Sequence, residues 1–368
     1  MNIGFDAKRA FHNYAGLGNY SRLLIKSLSD FYKENQYLLY TPKYDPNPLH
    51  DFAAQKNCTN VIPKGVASVL PSSFWRSFLM ANHINKQNID VFHGLSGELP
   101  VSPLKMPKVV TIHDLIFMRY PDYYATFDRK MYEKKFRHAC KIADKIIAIS
   151  KQTADDCIRF LSADPKKIEI TYQSCDPIFL STVKDEEISK KYDLPEKFIL
   201  NIGTIEERKN LLNLVKSLKL IDKEVDLVAI GGRTSYTSLV EEYINRNNLS
   251  HRVKLMHNVA FRDFPAIYAA ASAFVYPSVF EGFGIPVLEA LAVGIPVATS
   301  NISSMPEVGG SAALYFDPYN VEDIADKINI LLNHNKVVAE LNENRRTQLE
   351  KFSIENITKH VMAIYSNL

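Results

Sequence analysis

The sequence is poor in residues that cross-link small secreted proteins or bind structural metals. Its 368 residues include only four cysteines, which are scattered and form no Cys-x-x-Cys pair: Cys58, Cys140, Cys157 and Cys175. A disulfide framework and a structural zinc site are therefore not indicated, and a reducing compartment is favoured. The chain also has no Asp-x-Asp pair, so no dedicated carboxylate site for a divalent metal is predicted.

Long apolar runs and a strong charge of one sign are missing as well. No apolar stretch approaches the roughly 18 residues that a membrane-spanning helix needs. The segment MNIGFDAKRA is already charged at Asp6, which is not typical of a secretory signal peptide. The net charge of +3 is too small to indicate a nucleic-acid-binding protein. These features predict a cytoplasmic protein that has no nucleic-acid partner.

Both halves of the chain alternate between short apolar strands and amphipathic helices. A length of 368 residues favours two domains rather than one. A polar segment with two prolines, residues 176–197, separates the halves and is the best candidate for a linker. This pattern predicts an α/β protein with two doubly wound parallel-sheet domains.

The most informative stretch is YPSVFEGFGIPVLEALAVG, residues 276–294. It has the pattern of a strand end, a glycine-containing loop, and a helix with Pro286 at its first position and Gly294 after its end. A helix N-terminus at the carboxyl end of a strand favours anions, and the carboxylates of Glu281 and Glu289 can accept hydrogen bonds from hydroxyls. The stretch therefore indicates either a sugar-nucleotide site or an ordinary crossover with solvated glutamates.

A second loop carries cations. A predicted strand ends at Gly203 and is followed by TIEERKN, which places Arg208 and Lys209 just before the next helix. The planar fork of arginine and the point charge of lysine suit a diphosphate. In the first half, a Gly-rich loop with Gly16 and Gly18 follows the first strand, so backbone amides can approach an anion there too.

Two other features of the first half allow more than one interpretation. His113 follows a predicted strand at residues 108–112 and is a candidate ligand contact. His93 is a weaker candidate, because a lone histidine usually has a structural role. A predicted helix at residues 128–145 is rich in lysine and arginine. Its basic face is either solvated or in contact with anionic lipid headgroups.

In their order and spacing, these motifs resemble the retaining glycosyltransferases of family 4. The matching segments are AGLGNYSR, VVTIHDLIFMRYP, AISKQT, NIGTIEERKN and FVYPSVFEGFGIPVLEALAVGIPV followed by SNISSMPEV. The resemblance implies the GT-B fold, in which two Rossmann-like domains face a cleft and a C-terminal helix crosses back to the first. It implies an acceptor-binding domain at residues 1–180 with the helix 352–368, and a nucleotide-sugar-binding domain at residues 190–351.

The resemblance also implies roles for individual residues. Its candidate catalytic residues are His113, Arg208, Lys209 and Glu281. Those implied to bind the donor are Gly16, Gly18, Gly203, Arg208, Lys209, Val259, Glu281, Gly282, Phe283, Gly284 and Glu289. Arg208 and Lys209 would hold the diphosphate and stabilise it as it leaves. Glu281 and His113 would contact the transferred sugar, and Glu289 would bind the ribose hydroxyls.

The expected activity is transfer of a hexose, with retention and without a metal or cofactor, from a nucleotide diphosphate sugar. The segments DVFHGLSGELP and TIHDLIFMRYPDYY are most similar to mannosyltransferases of bacterial O-antigen or capsule pathways, so GDP-mannose is the first expected donor. UDP-glucose, UDP-galactose and UDP-N-acetylhexosamine are alternatives. The expected acceptor is a glycan or a lipid-linked saccharide, reached in the cytoplasm or at the inner face of the membrane.

A hypothesis of another class is a non-catalytic nucleotide-sugar-binding protein on the same fold. It predicts that the phosphate-binding cations or the glutamate pair are lost. All four residues are present, namely Arg208, Lys209, Glu281 and Glu289.

Overall fold

The computed structural model describes residues 1–44, 48–181 and 184–368, and the chain divides into two compact units. The N-terminal unit comprises Met1–Gln173 together with Ser353–Leu368, and the C-terminal unit comprises Ser174–Phe352. Two residues of the predicted linker, 182 and 183, lie outside the described residues.

Each unit contains its own parallel sheet, as predicted for a doubly wound α/β protein. In the described part of the N-terminal unit the strands are β1 (Asn2–Asp6), β2 (Gln36–Tyr40), β3 (Cys58–Val61), β4 (Val91–Gly94), β5 (Lys108–Ile112), β6 (Lys145–Ala148) and β7 (Ile168–Ile170). In that of the C-terminal unit they are β8 (Phe198–Ile202), β9 (Asp226–Ile230), β10 (Val253–Met256), β11 (Ala273–Tyr276), β12 (Val297–Ser300) and β13 (Leu314–Phe316).

The strand order places one switch point in each sheet. The order is β3-β2-β1-β4-β5-β6-β7 in the N-terminal unit and β10-β9-β8-β11-β12-β13 in the C-terminal unit. The chain therefore leaves β1 in one direction and returns on its other side at β4, and it does the same at β8 and β11. In open α/β sheets, ligands bind outside the carboxyl ends of the strands at such a point.

Helices connect the strands and cover the sheets. In chain order those of the described residues are α1 (Lys8–His12), α2 (Gly16–Phe31), α3 (Ser72–Phe74), α4 (Met80–Ile84), α5 (Ile116–Arg119), α6 (Thr126–Ile142), α7 (Lys151–Leu161), α8 (Glu186–Lys191), α9 (Leu211–Ser217), α10 (Ser235–Arg246), α11 (Phe264–Ala270), α12 (Ile285–Val293), α13 (Met305–Gly309), α14 (Val321–Asn333), α15 (Asn335–Glu350) and α16 (Ile354–Ser366). A π-helical turn, Trp75–Leu79, joins α3 to α4. None of these helices combines the length and the apolar character that crossing a membrane would require.

The basic helix ends earlier than predicted. The sequence indicated a helix at residues 128–145, but α6 ends at Ile142 and Ala143 is extended. Lys145 is instead the first residue of β6, where it pairs with Val109 of β5. The apolar residues that follow Lys145 are buried in the sheet, and this tertiary pairing overrides the helical pattern of the preceding segment.

The glycine-flanked helix α12 is close to its prediction. Gly294 ends it in the left-handed conformation with φ 96°, as expected for a C-terminal glycine. Pro286 is the second rather than the first helical residue, because the helix begins one residue earlier at Ile285. Gly284, at φ 115°, precedes the helix and turns the chain into it.

The last helix belongs to the N-terminal unit, as the resemblance implied. Val361, Ile364 and Tyr365 of α16 are buried in the same apolar core as Phe5 and Val91 of the sheet. Burial of its apolar face therefore stabilises the position of α16 in the N-terminal unit.

Candidate active site

The candidate site of the C-terminal unit lies at its switch point, where the loops after β8 and β11 are joined by hydrogen bonds. The N–H of Val279 donates to the carbonyl of Arg208 at 2.9 Å. Asn210 adopts φ 59° and its Nδ2 donates to the carbonyl of Pro277 at 3.1 Å. Backbone contacts of this kind fix the two loops relative to each other, so the side chains they carry are held in defined positions.

The Glu281 carboxylate is the centre of this site. Its Oε1 atom is bound by four side chains: Lys209 Nζ at 2.6 Å, Ser278 Oγ at 2.7 Å, Arg208 Nη1 at 2.9 Å and Tyr276 OH at 3.0 Å. Its other oxygen, Oε2, has no hydrogen-bond partner among the described residues. The carboxylate is thus anchored through one oxygen and keeps the acceptor capacity of the other.

Glu281 remains ionised although it is only 9% exposed. Burial by itself would raise its pKa, but the charges of Lys209 and Arg208 outweigh that effect, with hydrogen bonds from Lys209 and Ser278 acting in the same direction. The result is a pKa of about 2. A permanent negative charge in this position holds two cations side by side at the end of the sheet.

The guanidinium of Arg208 is held from more than one side. Besides pairing with Glu281, it donates to the carbonyl of Phe280 and, at 2.5 Å, to Oε1 of Glu206. The Glu206 side chain is the more exposed of the two carboxylates that bind Arg208, at 38% against 11% for Glu281. Its contact is therefore the one more easily exchanged for a ligand.

A third loop, after β12, supports the backbone of the Glu281 segment. Ser303 Oγ accepts the N–H of Glu281 at 3.1 Å, and Ser304 Oγ donates to the carbonyl of Phe283 at 2.6 Å. Gly284 lies so close to Met305 that an added Cβ would be 2.6 Å from its methyl carbon. Gly284 has a positive φ, whereas Gly282 does not.

Glu289 has a different environment on α12. It is half-buried, and its Oε2 accepts a hydrogen bond from Tyr268 OH at 2.9 Å. Burial raises its pKa to about 7, against the opposing effect of the Tyr268 bond and with a further increase from the charge of Asp176. The two glutamates therefore differ chemically, because Glu281 is always ionised whereas Glu289 titrates near neutrality.

The remaining predicted donor-binding residues of this unit lie along the same edge of the sheet. Gly203 lies beneath Lys209, whose Cδ would be 3.6 Å from an added Cβ. Gly231, which no sequence motif singled out, touches the Gly203 carbonyl so closely that an added Cβ would be 1.9 Å away. Val259 is half-buried after β10, the edge strand, and is two strands removed from β8.

In the N-terminal unit His113 is buried at the end of β5. Its Nε2 donates to the carbonyl of Leu95 at 2.9 Å, and its ring packs edge-on against Tyr20 with centroids 4.7 Å apart. Burial lowers its pKa to about 4, although the Leu95 bond opposes this and the charge of Arg9 adds to it. His113 is therefore neutral at pH 7, and its Nδ1 is a hydrogen-bond acceptor.

The two glycines of the N-terminal loop differ in environment. α2 begins at Gly16, around which an added Cβ would meet no atom within 4 Å. At Gly18 an added Cβ would lie 1.7 Å from the carbonyl oxygen of Asn13, so only glycine fits there. The space around Gly16 at the start of α2 is thus open, and Gly18 allows the backbone of Asn13 to pack closely against α2.

His93 has a structural role. Its Nδ1 lies 2.6 Å from Tyr365 OH and its Nε2 lies 2.8 Å from Thr111 Oγ1, with the ring fully buried. The Nδ1 bond joins α16 to β4, and the Nε2 bond joins β4 to β5.

Sequence reasoning missed the side chains that position the two glutamates. Tyr276 and Ser278 donate to Glu281, and Tyr268 donates to Glu289. The location of Tyr276 at the carboxyl end of β11 was a usable signal, whereas Tyr268 on α11 gave none. Among the described residues no three His, Cys, Asp or Glu side chains are grouped so that they could hold a metal ion.

Comparison with known proteins identifies the family. Residues 14–177 match the model of Glycosyltransferase Family 4, and residues 184–348 match that of Glycosyl transferases group 1. The chain belongs to glycosyltransferase family 4. The resemblance drawn from its motifs is therefore confirmed.

Among relatives, this family 4 glycosyltransferase is 30% identical to O-antigen chain mannosyltransferase B of Escherichia coli, over 76% of the chain and 74% of the relative. It is also 30% identical to O-antigen chain mannosyltransferase RfbU of Salmonella typhimurium, over 63% of the chain. It spans 65% of the length of that relative, slightly less than two thirds.

The solved structures show the fold. The chain aligns over its whole length with all of Anabaena Alr3699/HepE, a structure in complex with UDP and glucose, at a TM-score of 0.77 and 17% identity. WaaG, a glycosyltransferase involved in lipopolysaccharide biosynthesis, aligns over 99% of both chains at a TM-score of 0.71 and 14% identity. The GT-B fold class predicted for this glycosyltransferase is confirmed.

Proposed function

We propose that this glycosyltransferase transfers a hexose from a nucleotide diphosphate sugar with retention of configuration and without a metal. The observation that carries the proposal is the Glu281 carboxylate with Arg208 and Lys209 on one of its oxygens, at the switch point of the C-terminal unit. This arrangement combines two cations for a leaving diphosphate with a free acceptor oxygen for sugar hydroxyls.

Arg208 and Lys209 would stabilise the departing nucleoside diphosphate. As the bond to the sugar breaks, negative charge grows on the leaving phosphate, and cations fixed in advance stabilise that charge without reorganising. A bound diphosphate would compete with Glu206 for Arg208, since that carboxylate is the more exposed one. Glu281 would keep both cations in place during the exchange.

Two acceptor atoms would recognise the sugar. Oε2 of Glu281 would accept hydrogen bonds from sugar hydroxyls, and the neutral His113 would accept one at Nδ1. Neither atom has to change its protonation state near pH 7, because the pKa is about 2 for Glu281 and about 4 for His113. From the family resemblance, we favour front-face substitution assisted by the leaving group over a covalent glycosyl-enzyme.

The remaining donor-binding roles are proposed from family resemblance. The ionised form of Glu289 would accept hydrogen bonds from ribose hydroxyls. Backbone amides of Gly282, Phe283 and Gly284 would contact the sugar. Gly203 and Val259 would line the nucleotide site, and Gly16 and Gly18 would approach the donor phosphates and the acceptor.

GDP-mannose is the first proposed donor, because the relatives at 30% identity are named O-antigen mannosyltransferases. UDP-glucose, UDP-galactose or a UDP-N-acetylhexosamine are the alternatives, supported by the UDP and glucose in the HepE structure. The proposed acceptor is a glycan or lipid-linked saccharide of cell-surface polysaccharide synthesis. Transfer to such an acceptor would take place in the cytoplasm. In one arrangement to test, α6 would contact the inner face of the membrane peripherally.

The proposal is tested by a thermal-shift panel of GDP, UDP, ADP and their sugars, since a ligand that binds the native state raises its melting temperature. The cognate nucleotide should stabilise the wild type and fail to stabilise the Arg208→Ala/Lys209→Ala variant. No shift with any nucleotide would contradict the proposal. Binding without transfer to any glycan acceptor would instead favour the non-catalytic hypothesis.

A further inference from the structure

A second charged cluster lies at the switch point of the N-terminal unit. Asp6 is the last residue of β1. Its carboxylate accepts hydrogen bonds from Arg76 Nε at 3.1 Å and from Arg76 Nη2 at 2.5 Å. Arg76 Nη1 also binds Glu98, in the loop after β4, at 3.2 Å, and Lys135 of α6 binds the other oxygen of Glu98 at 3.3 Å. The side chains of Arg76 and Asp6 are only 8% and 5% exposed, so this ion-pair network is built into the unit.

Two more cations lie at the start of the next helix and have no counter-ion among the described residues. Lys8 and Arg9 open α1, directly after β1, and both are half-buried. Neither side chain makes a hydrogen bond or ion pair with any residue in the described ranges. Burial, followed by the charges of Arg76 and Arg9, lowers the pKa of Lys8, so the cations repel one another. Partial burial of unpaired like charges is unfavourable unless an anion neutralises them.

The charge balance of the cluster defines what would bind there. Asp6 and Glu98 are the acidic groups whose charges act on Lys8, and both are already paired with Arg76 or Lys135. The positive charges of Lys8 and Arg9 are therefore left over, which matches a dianion. An arginine fork beside a lysine point charge is suited to phosphate oxygens, whereas the hydroxyls of a neutral saccharide would need neither.

We propose that Lys8 and Arg9 form a phosphate-binding site in the N-terminal unit and that it takes the phosphate or diphosphate group of a phosphorylated acceptor. The donor diphosphate already has a pair of cations, Arg208 and Lys209, in the other unit. The charge of Arg9 also acts on His113, so the site lies on the side of the unit where sugar contact is proposed. Naming the ligand as the acceptor rests on the proposed function, whereas the anion site itself does not.

The binding test uses inorganic pyrophosphate titrated calorimetrically into the full chain. The Arg208→Ala/Lys209→Ala background removes the other pair of cations, so the test does not depend on the nucleotide assignment. In that background, Lys8→Gln/Arg9→Gln should weaken binding about tenfold or more, because two charge-assisted contacts are lost. The melting temperature should not fall, since neither side chain has a partner to lose within the part of the chain that the structure describes.

A matched control removes the same charge elsewhere in the same unit. Lys33 and Lys56 are exposed and precede β2 and β3, at the opposite edge of the sheet. Lys33→Gln/Lys56→Gln should leave pyrophosphate affinity unchanged. Equal affinity in the Lys8→Gln/Arg9→Gln variant, or an equal loss in the control, would overturn the site.

The source of the phosphate is tested separately. In the otherwise wild-type enzyme, Lys8→Gln/Arg9→Gln should raise the KM for a diphosphate-linked saccharide about tenfold or more and leave the affinity for the donor nucleotide unchanged. The KM for the same saccharide on a neutral aglycone should not change. Reduced nucleotide affinity would assign the site to the donor instead and overturn the acceptor assignment.

Discussion

Replacing Glu289 by glutamine should change how the stability of the C-terminal unit depends on pH. The folded chain holds the pKa of this carboxyl at about 7, mainly through burial, against an ordinary value of 4.5. Between these values the unfolded chain has released the proton while the folded chain retains it. Wild-type stability should therefore fall as the pH rises from 4.5 through about 7. Glutamine cannot titrate, so the variant lacks this contribution.

The expected size follows from the difference between the two pKa values. A tenfold change in an acid dissociation constant corresponds to about 1.4 kcal/mol, so a rise in pKa from 4.5 to about 7 amounts to about 3 kcal/mol. Water reaches the half-buried carboxyl in part, so this is an upper value. In a unit of this size about 3 kcal/mol corresponds to a difference of roughly 6–12 °C in melting temperature.

The assay compares melting temperatures of the wild type and Glu289→Gln without ligand from about pH 5 to pH 8. The two proteins should be similar at the acidic end, and the variant should be the more stable one at the alkaline end. Tyr268→Phe is a matched control, because losing its hydrogen bond should move the transition to higher pH. A difference that stays constant with pH would refute the reasoning.

The raised pKa of Glu289 also leads to a prediction about ligand binding. Ribose hydroxyls donate to the ionised form of Glu289, so wild-type affinity for the cognate nucleotide should weaken as the pH falls below about 7, by up to about tenfold for each further decrease of one in pH. The glutamine variant should bind more weakly but without this pH dependence. Wild-type affinity that is constant across this range would contradict the ribose role.

Contacts within each unit lead to three further predictions. Arg208→Ala and Lys209→Ala should each lower kcat/KM by the equivalent of about 2–4 kcal/mol, and full activity of the double variant would contradict the phosphate role. Glu281→Gln should lower kcat while retaining nucleoside diphosphate binding, because the amide oxygen can still accept hydrogen bonds from Arg208 and Lys209, and an unchanged kcat would argue against the sugar role. Tyr365→Phe removes the buried bond to His93, which should destabilise the N-terminal unit by about 1–2 kcal/mol in denaturant titrations without changing kcat.

The fold could be predicted because two local signals agree along the chain. Apolar strands alternate with helices in both halves, and the cation pair and glutamates each follow a strand. The carboxyl ends of parallel strands share one edge, so loops that follow such strands, like those carrying Arg208, Lys209 and Glu281, lie on the same side of the sheet. Gly294 was similarly predictable, because a helix end that needs a left-handed residue favours glycine.

The contacts themselves could not be predicted, because they depend on which strands become neighbours. Lys209 and Glu281 are 72 residues apart and meet only because β11 packs directly beside β8. The end of the basic helix depends on tertiary pairing in the same way, because Lys145 is drawn into the sheet by β5. Sequence alone offered no means to tell that Glu281 would pin both cations or that Glu289 would have a raised pKa.

The two switch points show contrasting uses of charge. At the C-terminal one, Glu281 pairs with Arg208 and Lys209 and Glu206 pairs with Arg208, so the cations are held in position and the site carries little excess charge. At the N-terminal one, Lys8 and Arg9 make no ion pair with any residue that the structure describes, because Asp6 and Glu98 are paired with Arg76 and Lys135. An anion entering the first site must replace an existing contact, whereas one entering the second relieves repulsion. Added salt should therefore weaken pyrophosphate binding more at the second site, where little other than charge would hold the ligand.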